Sequence, residues 1–97
     1  MNVAICQVKL RFPENQSLKG KRQILKSITS RLRNRFNVSV AEVDDNDLWQ
    51  LATLGISCVS NDRRHANEML SRVVDFISRS RFEAELVDYE IEIIAAL

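Results

Sequence analysis

The sequence is poor in chain-breaking residues, with 2 glycines and 1 proline among 97 residues. So little glycine and proline leaves little room for a linker or a disordered segment. No apolar run reaches the length of a membrane-spanning helix, and no charged-then-apolar leader opens the chain. Since 45% of the residues are apolar, the chain can fill one core. We therefore expect a single domain over residues 1–97, in a cytoplasmic protein without membrane contact.

Cysteine and histidine are also scarce, and their positions do not form a metal-binding pattern. Cys6 and Cys58 each lie in an apolar, strand-like run, which predicts reduced thiols in the core. The single histidine, His65, has no metal-ligand spacing to either cysteine and is expected on a helix surface. The sequence also lacks a phosphate-binding loop, a nucleophile elbow and a dinucleotide-binding fingerprint. We therefore expect a protein that is not an enzyme and that uses no metal or cofactor.

The net charge of +1 hides a strongly basic segment, Ser17–Phe36. The segment holds seven of the 14 lysine and arginine residues, and no acid lies between Glu14 and Glu42. At 100° per residue, one sector of a helix would carry its apolar residues Leu25, Ile28, Leu32 and Phe36. The opposite sector would carry four cations, Lys19, Arg22, Lys26 and Arg33. The segment therefore predicts an amphipathic helix with one buried side and one basic side, capped by Ser17.

Alternating apolar positions predict four strands, and apolar positions at helical spacing predict two helices. The predicted strands cover residues 2–12, 38–44, 48–59 and 83–95, and the helices cover 17–36 and about 62–79. The order β-α-β-β-α-β is typical of a ferredoxin-like α+β sandwich. In that fold, a four-stranded antiparallel sheet of strand order 4-1-3-2 carries both helices on one face.

Individual residues predict further features of the strands and leave one question open. The buried face of strand 38–44 stays open, because each of its two phases carries apolar residues. Gly55 predicts a bulge or a close backbone approach. In strand 83–95 the predicted inward phase consists of Val87, Tyr89, Ile91 and Ile93. A solvated hairpin end, rather than a site for a divalent cation, is favoured for the acids Glu42, Asp44, Asp45 and Asp47.

The segment Ser17–Asp62 resembles the YlxP-like family, small bacterial proteins catalogued as a domain of unknown function. The resemblance is densest in the motifs SLKxKR, RLRNRFNVSVAEV, DLWQ, ATLG and VSND, and it extends over nearly the whole chain. Gly20 departs from the family pattern, where a helix former, often glutamate, is expected. The resemblance implies a ferredoxin-like fold. Family members are often encoded beside translation initiation and ribosome-binding factors, which implies a role in ribosome assembly or RNA binding, and no catalytic residues are assigned.

We expect the basic side of the first helix to contact the phosphates of an RNA or of a ribosomal particle. Cations near the N-terminus of a helix are disfavoured by its dipole, so Lys19, Arg22 and Lys26 need another explanation. The three arginines of Arg31–Arg35 lie near the C-terminus of this helix, where the helix dipole alone can explain them. The alternative is an oligomeric interaction or regulatory module that uses the open sheet face.

The open sheet face itself leads to three expectations. The outer phase of the first strand has no aromatic residue on which bases could stack, and burial or an interface is favoured for Trp49. Lys9 and Arg11 are expected to face acids of the last strand, namely Asp88, Glu90 or Glu92. An apolar patch predicts a homodimer or a larger assembly. With the third strand taken as parallel to the first, the patch comprises Val3, Ile5, Trp49, Leu51 and Ile94.

Overall fold

The computed structural model describes residues 1–97, and its elements follow the predicted order. They are β1 (Asn2–Arg11), α1 (Leu18–Arg35), β2 (Ser39–Asp44), β3 (Leu51–Ser60), α2 (Arg63–Arg79) and β4 (Glu85–Ala95). The strands form one sheet in the order β2-β3-β1-β4, and all neighbouring strands are antiparallel. The ferredoxin-like α+β fold is thereby confirmed, with β2 and β4 as the edges of the sheet.

The core lies between the two helices and one face of the sheet. From β1 it receives every second residue, Ala4, Cys6, Val8 and Leu10. From β3 it receives the predicted phase, Ala52, Leu54, Ile56 and Cys58. The helices cover these residues with Leu25, Ile28 and Leu32 of α1 and with Ala66, Leu70, Val73, Val74 and Ile77 of α2. The opposite phase of β1 is exposed, so the second face of the sheet carries no helix.

Both helices begin at a capping side chain. Ser17 Oγ accepts a hydrogen bond from the Gly20 N–H at 3.0 Å, which confirms the predicted N-cap of α1. Asp62 caps α2 in the same way. A Cβ at position 20 would overlap the side-chain oxygen of Asn15, so glycine lets Asn15 lie against the first turn. Neither helix combines the length and the apolar character of a membrane span.

β2 buries the phase that contains Val40, which resolves the ambiguity in its sequence. Val40 lies opposite Ile56 of β3, and Glu42 lies on the same side. A bulge follows Glu42 and places Val43 beside Gly55. A Cβ at position 55 would lie 2.8 Å from Val43 Cγ1. Gly55 therefore marks a close approach, but the group that approaches is the Val43 side chain and not the predicted backbone.

β4 contains a second bulge, which falls between Lys9 and Leu10 of its partner strand β1. Asp88 lies opposite Lys9 and Leu86 lies opposite Leu10, so Val87 is left without a partner residue. Leu86 therefore continues the inward phase in this part of the strand. The prediction that Val87 belongs to that phase is wrong, and its side chain is exposed.

Opposite charges face each other across β1 and β4 on the uncovered side of the sheet. Lys9 lies opposite Asp88, as predicted. Arg11 forms an ion pair with Glu85 at 2.7 Å instead of with one of the three expected acids, because the bulge shifts the register. The other two expected acids lie opposite uncharged residues of β1.

Candidate nucleic-acid interface

The outward side of α1 is basic and open to solvent. Lys19, Arg22 and Lys26 are exposed, and none of them forms an ion pair within the chain. At about 100° per residue, they fall together in a sector centred roughly 120° around the helix from the buried stripe. No acid occurs anywhere in α1. Three positive charges are therefore available to a ligand on this side of the helix.

Arg33, the fourth predicted contact residue, is partly engaged within the fold. Its Nη2 donates a hydrogen bond to the backbone oxygen of Val40 at 2.7 Å. A guanidinium has five N–H donors, so the exposed remainder of the group can still meet a ligand. The basic face of α1, defined by Lys19, Arg22, Lys26 and Arg33, thus contains three unpaired cations and one that is anchored to β2.

Two further arginines near the end of α1 lie over aromatic rings. Arg31 Cζ is 5.3 Å from the ring centroid of Phe82, and Arg35 Cζ is 5.0 Å from that of Phe76. The rings of Phe76 and Phe82 pack edge to face with centroids 6.2 Å apart. These arginines therefore stabilise the fold through cation–π contacts. The sequence had suggested only a favourable interaction with the helix dipole.

Lys21 is a basic residue of α1 that sequence reasoning did not single out. It is fully buried, and its Nζ donates to Glu42 Oε2 at 3.0 Å. Nζ also contacts three backbone oxygens, those of Asp45 at 2.9 Å, Asn46 at 3.3 Å and Leu51 at 3.1 Å. The helical spacing contained a signal for this burial, because residue 21 falls between Ile28 and Leu32 on the apolar sector.

The acids at the end of the β2–β3 hairpin make contacts within the fold. Glu42 pairs with Lys21, and Asp45 Oδ2 accepts a hydrogen bond from Thr53 Oγ1 at 2.7 Å. Asp44 Oδ1 accepts the backbone N–H of Asp45 at 2.8 Å. No three Asp, Glu, His or Cys side chains are grouped so as to hold a metal ion. The acidic cluster of the sequence therefore helps to close the hairpin.

The loop between β2 and β3 places Trp49 next to the first turn of α1. The side-chain amide of Asn15 donates to the backbone oxygen of Trp49 at 2.5 Å and to that of Ser17 at 2.7 Å. Because Ser17 caps α1, a single side chain joins the loop to the start of the helix. The Trp49 side chain is 49% exposed, so it is not a residue of the core.

Three apolar side chains form a row across the uncovered face of the sheet. Val3 of β1 lies opposite Val59 of β3 and opposite Ile94 of β4. Val59 is 65% exposed and Ile94 is 42% exposed. The outer row, defined as Val3, Val59 and Ile94, lies next to Ile5 on the same face. Val59 was not among the predicted patch residues, whereas Val3, Ile5 and Ile94 were.

Trp49 and Leu51 do not belong to this apolar patch, contrary to the expectation. The prediction took β3 to run parallel to β1, but the two strands are antiparallel. Leu51 therefore lies opposite Arg11, at the other end of the strand pair from Val3. Trp49 precedes β3 at that same distant end.

A groove of about 550 Å³ lies on the uncovered face beside the outer row. Val43 lines it on the β2 side, Gly55 lies in the middle, and Glu90 and Glu92 line it on the β4 side. These carboxylates would repel the phosphates of a nucleic acid. The electrostatics of the two surfaces therefore favour α1 over the sheet as a nucleic-acid interface.

The cysteines and the histidine occupy the expected environments. Cys6 and Cys58 are free and buried. Burial raises the pKa of the Cys6 thiol to about 11 and also raises the pKa of Cys58. Because the thiolate is the reactive form, neither cysteine is suited to nucleophilic chemistry at neutral pH. His65 is exposed at the start of α2.

Two comparisons with known proteins agree with the resemblance seen in the sequence motifs. The family model described as "Protein of unknown function (DUF503)" matches residues 3–91. The chain is also 46% identical over 61 residues to a protein of Bacillus subtilis (strain 168) described as "Uncharacterized protein YlxP". That match covers 63% of this chain and 66% of the relative, just under two thirds of the relative's length.

Proposed function

We propose that this chain, which belongs to the family described as "Protein of unknown function (DUF503)", is a non-enzymatic RNA-binding or ribosome-associated factor. The observation that carries the proposal is the basic face of α1, where Lys19, Arg22 and Lys26 are exposed and unpaired. A row of cations without local acids attracts polyanions, and nucleic-acid phosphates are the common polyanionic ligand. Arg33 extends the row toward β2.

The charge balance of the other surfaces supports α1 as the contact element. On α2, two arginines form ion pairs within the helix. Arg64 Nε lies 3.6 Å from Glu68 Oε1, and Arg79 Nε lies 3.0 Å from Asp75 Oδ1. The uncovered sheet face carries the acids of β4. α1 contains no acid, so its positive charge is not neutralised by neighbours on the same helix.

Helix stability does not explain the cations at the start of α1. The helix dipole disfavours positive charge in the first turn, where Lys19 and Lys21 lie and no acid is present. Lys21 is neutralised by its buried contacts, whereas Lys19 has no such partner. An anionic ligand would offset the unfavourable placement of Lys19. The choice of RNA as that ligand is supported by the resemblance to the YlxP-like family and its genomic neighbours.

The double charge reversal Arg22→Glu with Lys26→Glu tests the proposal. Four phosphate contacts to a single strand correspond to a slope of log affinity against log salt of about −3. We expect the double variant to bind RNA more weakly and to flatten this slope by roughly one unit or more, since two contacts are lost. The thermal midpoint should stay unchanged, because both side chains point away from the core. Fluorescence anisotropy of a labelled oligouridylate measures the affinity and the slope.

The matched control is Arg72→Glu with Arg81→Glu, which changes the net charge by the same amount at two exposed arginines outside α1 that form no ion pair. We expect this control to leave the salt slope close to that of the unmodified protein. Unchanged affinity and slope in the α1 variant would contradict the proposal. Co-sedimentation of the protein with ribosomal particles would distinguish a ribosomal partner from free RNA.

A second candidate function, self-association through the uncovered sheet face, is supported by the outer row. Val59 and Ile94 expose apolar surface next to Val3 on a face that no helix covers. Contiguous exposed apolar side chains of this kind commonly mark protein interfaces. Since α1 lies on the opposite face of the sheet, an assembly formed through the outer row would leave the basic face accessible.

A further inference from the structure

Trp49, the only tryptophan of the chain, lies beside the N-terminal turn of α1. Its backbone oxygen accepts a hydrogen bond from Asn15, and Asn15 also binds the backbone oxygen of the N-cap residue Ser17. Lys19, the first cation of the basic face, follows two residues after that cap. The indole and the start of the basic face therefore lie at the same end of the molecule.

The loop that carries Trp49 is fixed on both sides. The carbonyl of Gln50 accepts the backbone N–H of Phe12 at 2.9 Å, and the Gln50 side chain donates to the Asn15 carbonyl at 3.2 Å. The buried ammonium of Lys21 holds backbone oxygens that precede and follow the indole in the chain. A loop held in this way presents its side chain with little further loss of conformational entropy on binding.

Trp49 has no aromatic or cationic partner within the chain. The edge-to-face pairs join Phe36, Phe76 and Phe82, and the cation–π contacts involve only Phe76 and Phe82. The indole is about half exposed. It also lies at the opposite end of the sheet from the outer row, so an assembly through the outer row would leave it open.

We propose that Trp49 stacks on an unpaired base of single-stranded RNA whose phosphates are bound by the basic face of α1. This inference rests on the proposed function and specifies the class of ligand. A duplex offers α1 its phosphates, but its bases are already stacked and paired, so it offers no base face to the indole. A single strand offers both groups, and stacking on an aromatic side chain is tolerant of sequence.

The fluorescence of Trp49 reports on this site directly, because no other tryptophan contributes to the signal. Titration with oligouridylate is expected to quench it, and titration with an RNA duplex of the same length is expected to leave it unchanged. Trp49→Leu, which keeps an apolar side chain in the loop, should lower the affinity for oligouridylate roughly tenfold. The affinity for the duplex and the salt slope should not change, since no phosphate contact is lost. Trp49→Phe retains a ring and should retain most of the affinity.

The outcomes separate this inference from the proposed function. Oligouridylate binding that neither quenches Trp49 nor weakens in Trp49→Leu would overturn the stacking, while the double reversal on α1 would still report on phosphate binding. Equal losses of affinity for the single strand and the duplex in Trp49→Leu would also overturn it, because they would indicate a purely structural role. Failure of the unmodified protein to bind either RNA would overturn the proposed function and the stacking together.

Discussion

The ammonium of Lys21 lies 3.0 Å from the carboxylate of Glu42, and this ion pair joins α1 to β2. The Lys21 side chain has no exposed surface, whereas the Glu42 side chain keeps 21% of its surface exposed. Three backbone oxygens complete the contacts of the ammonium, two from the β2–β3 connection and one from Leu51 at the start of β3. One lysine therefore fixes the loop that carries Trp49 against the helix that carries the basic face.

Replacing Lys21 with methionine is expected to lower the free energy of unfolding by about 3 kcal/mol. The substitution leaves a carboxylate and three carbonyls without their donor, and breaking a buried pair typically costs ~3–5 kcal/mol. The lower end of that range applies because Glu42 remains partly hydrated. Urea unfolding at neutral pH measures the loss.

Lys26→Met provides the matched control, since it makes the same substitution at an exposed lysine of the same helix. Its free energy of unfolding should stay within about 0.5 kcal/mol of the unmodified protein. Equal stabilities of the Lys21→Met and Lys26→Met proteins would show that the buried ammonium does not anchor the loop.

Periodicity predicted the elements and the inward phases of β1, β3 and both helices, because burial follows the repeat of a regular element. It did not identify the partner of Lys21. A helical repeat places residue 21 among the buried side chains, but it does not say which polar group from another element will meet the ammonium. The side of β2 on which Glu42 lies could not be predicted either, since both phases of β2 carry apolar residues. The position of Trp49 beside α1 depends on how the β2–β3 loop packs, and the periodicity of a strand or helix does not determine the packing of a loop.

The incorrect expectations concern strand geometry, and the bulge that changed the partner of Arg11 is one of their causes. Trp49 and Leu51 were placed beside Val3 because β3 was given the wrong direction, and an alternating pattern reads the same in either direction. Val87 was assigned to the inward phase because a strict period of two cannot anticipate a bulge. These errors lie in the relation between strands and leave the identification of the strands unaffected.

Gly55→Ala is expected to destabilise the protein by about 1–3 kcal/mol through overpacking. The added Cβ would lie 2.8 Å from Val43 Cγ1, on the neighbouring strand. Val43→Ala removes the obstructing atoms, so the double variant should recover most of the loss caused by Gly55→Ala alone. A double-mutant cycle in urea measures this coupling. Strictly additive effects would contradict the contact.

The stability of the protein should fall at alkaline pH through the Cys6 thiol. Burial raises the pKa of Cys6 from about 9 to about 11. Between these pH values the unfolded chain releases the thiol proton while the folded chain retains it, so rising pH favours unfolding. Cys6→Ala should therefore lose less stability than the unmodified protein between pH 9 and pH 11, as measured by urea unfolding. Parallel pH profiles of the two proteins would refute this effect.

Arg35→Ala is expected to lower the free energy of unfolding by about 1 kcal/mol, from the lost cation–π contact with Phe76 and the lost charge at the helix end. Arg35→Lys should cost less, because it keeps the charge while losing the planar guanidinium. Arg22→Ala serves as the control, since Arg22 contacts no ring and lies far from the C-terminal end of α1. Thermal unfolding compares the three variants, and equal midpoints for Arg35→Ala and Arg22→Ala would argue against the contact.

Val59→Glu is expected to abolish self-association through the outer row. Val59 is largely exposed, so a carboxylate there can stay hydrated in the monomer and should cost the fold little. In an assembly, the same carboxylate would be buried against apolar side chains without a partner, which is strongly unfavourable. Leu48→Glu is the control, because it places the same charge at an exposed apolar residue of the β2–β3 loop, away from the outer row. Light scattering over a concentration series should show a dimer or larger assembly for the unmodified and Leu48→Glu proteins and a monomer for Val59→Glu. A monomeric mass for the unmodified protein at micromolar concentration would refute self-association without affecting the role proposed for α1.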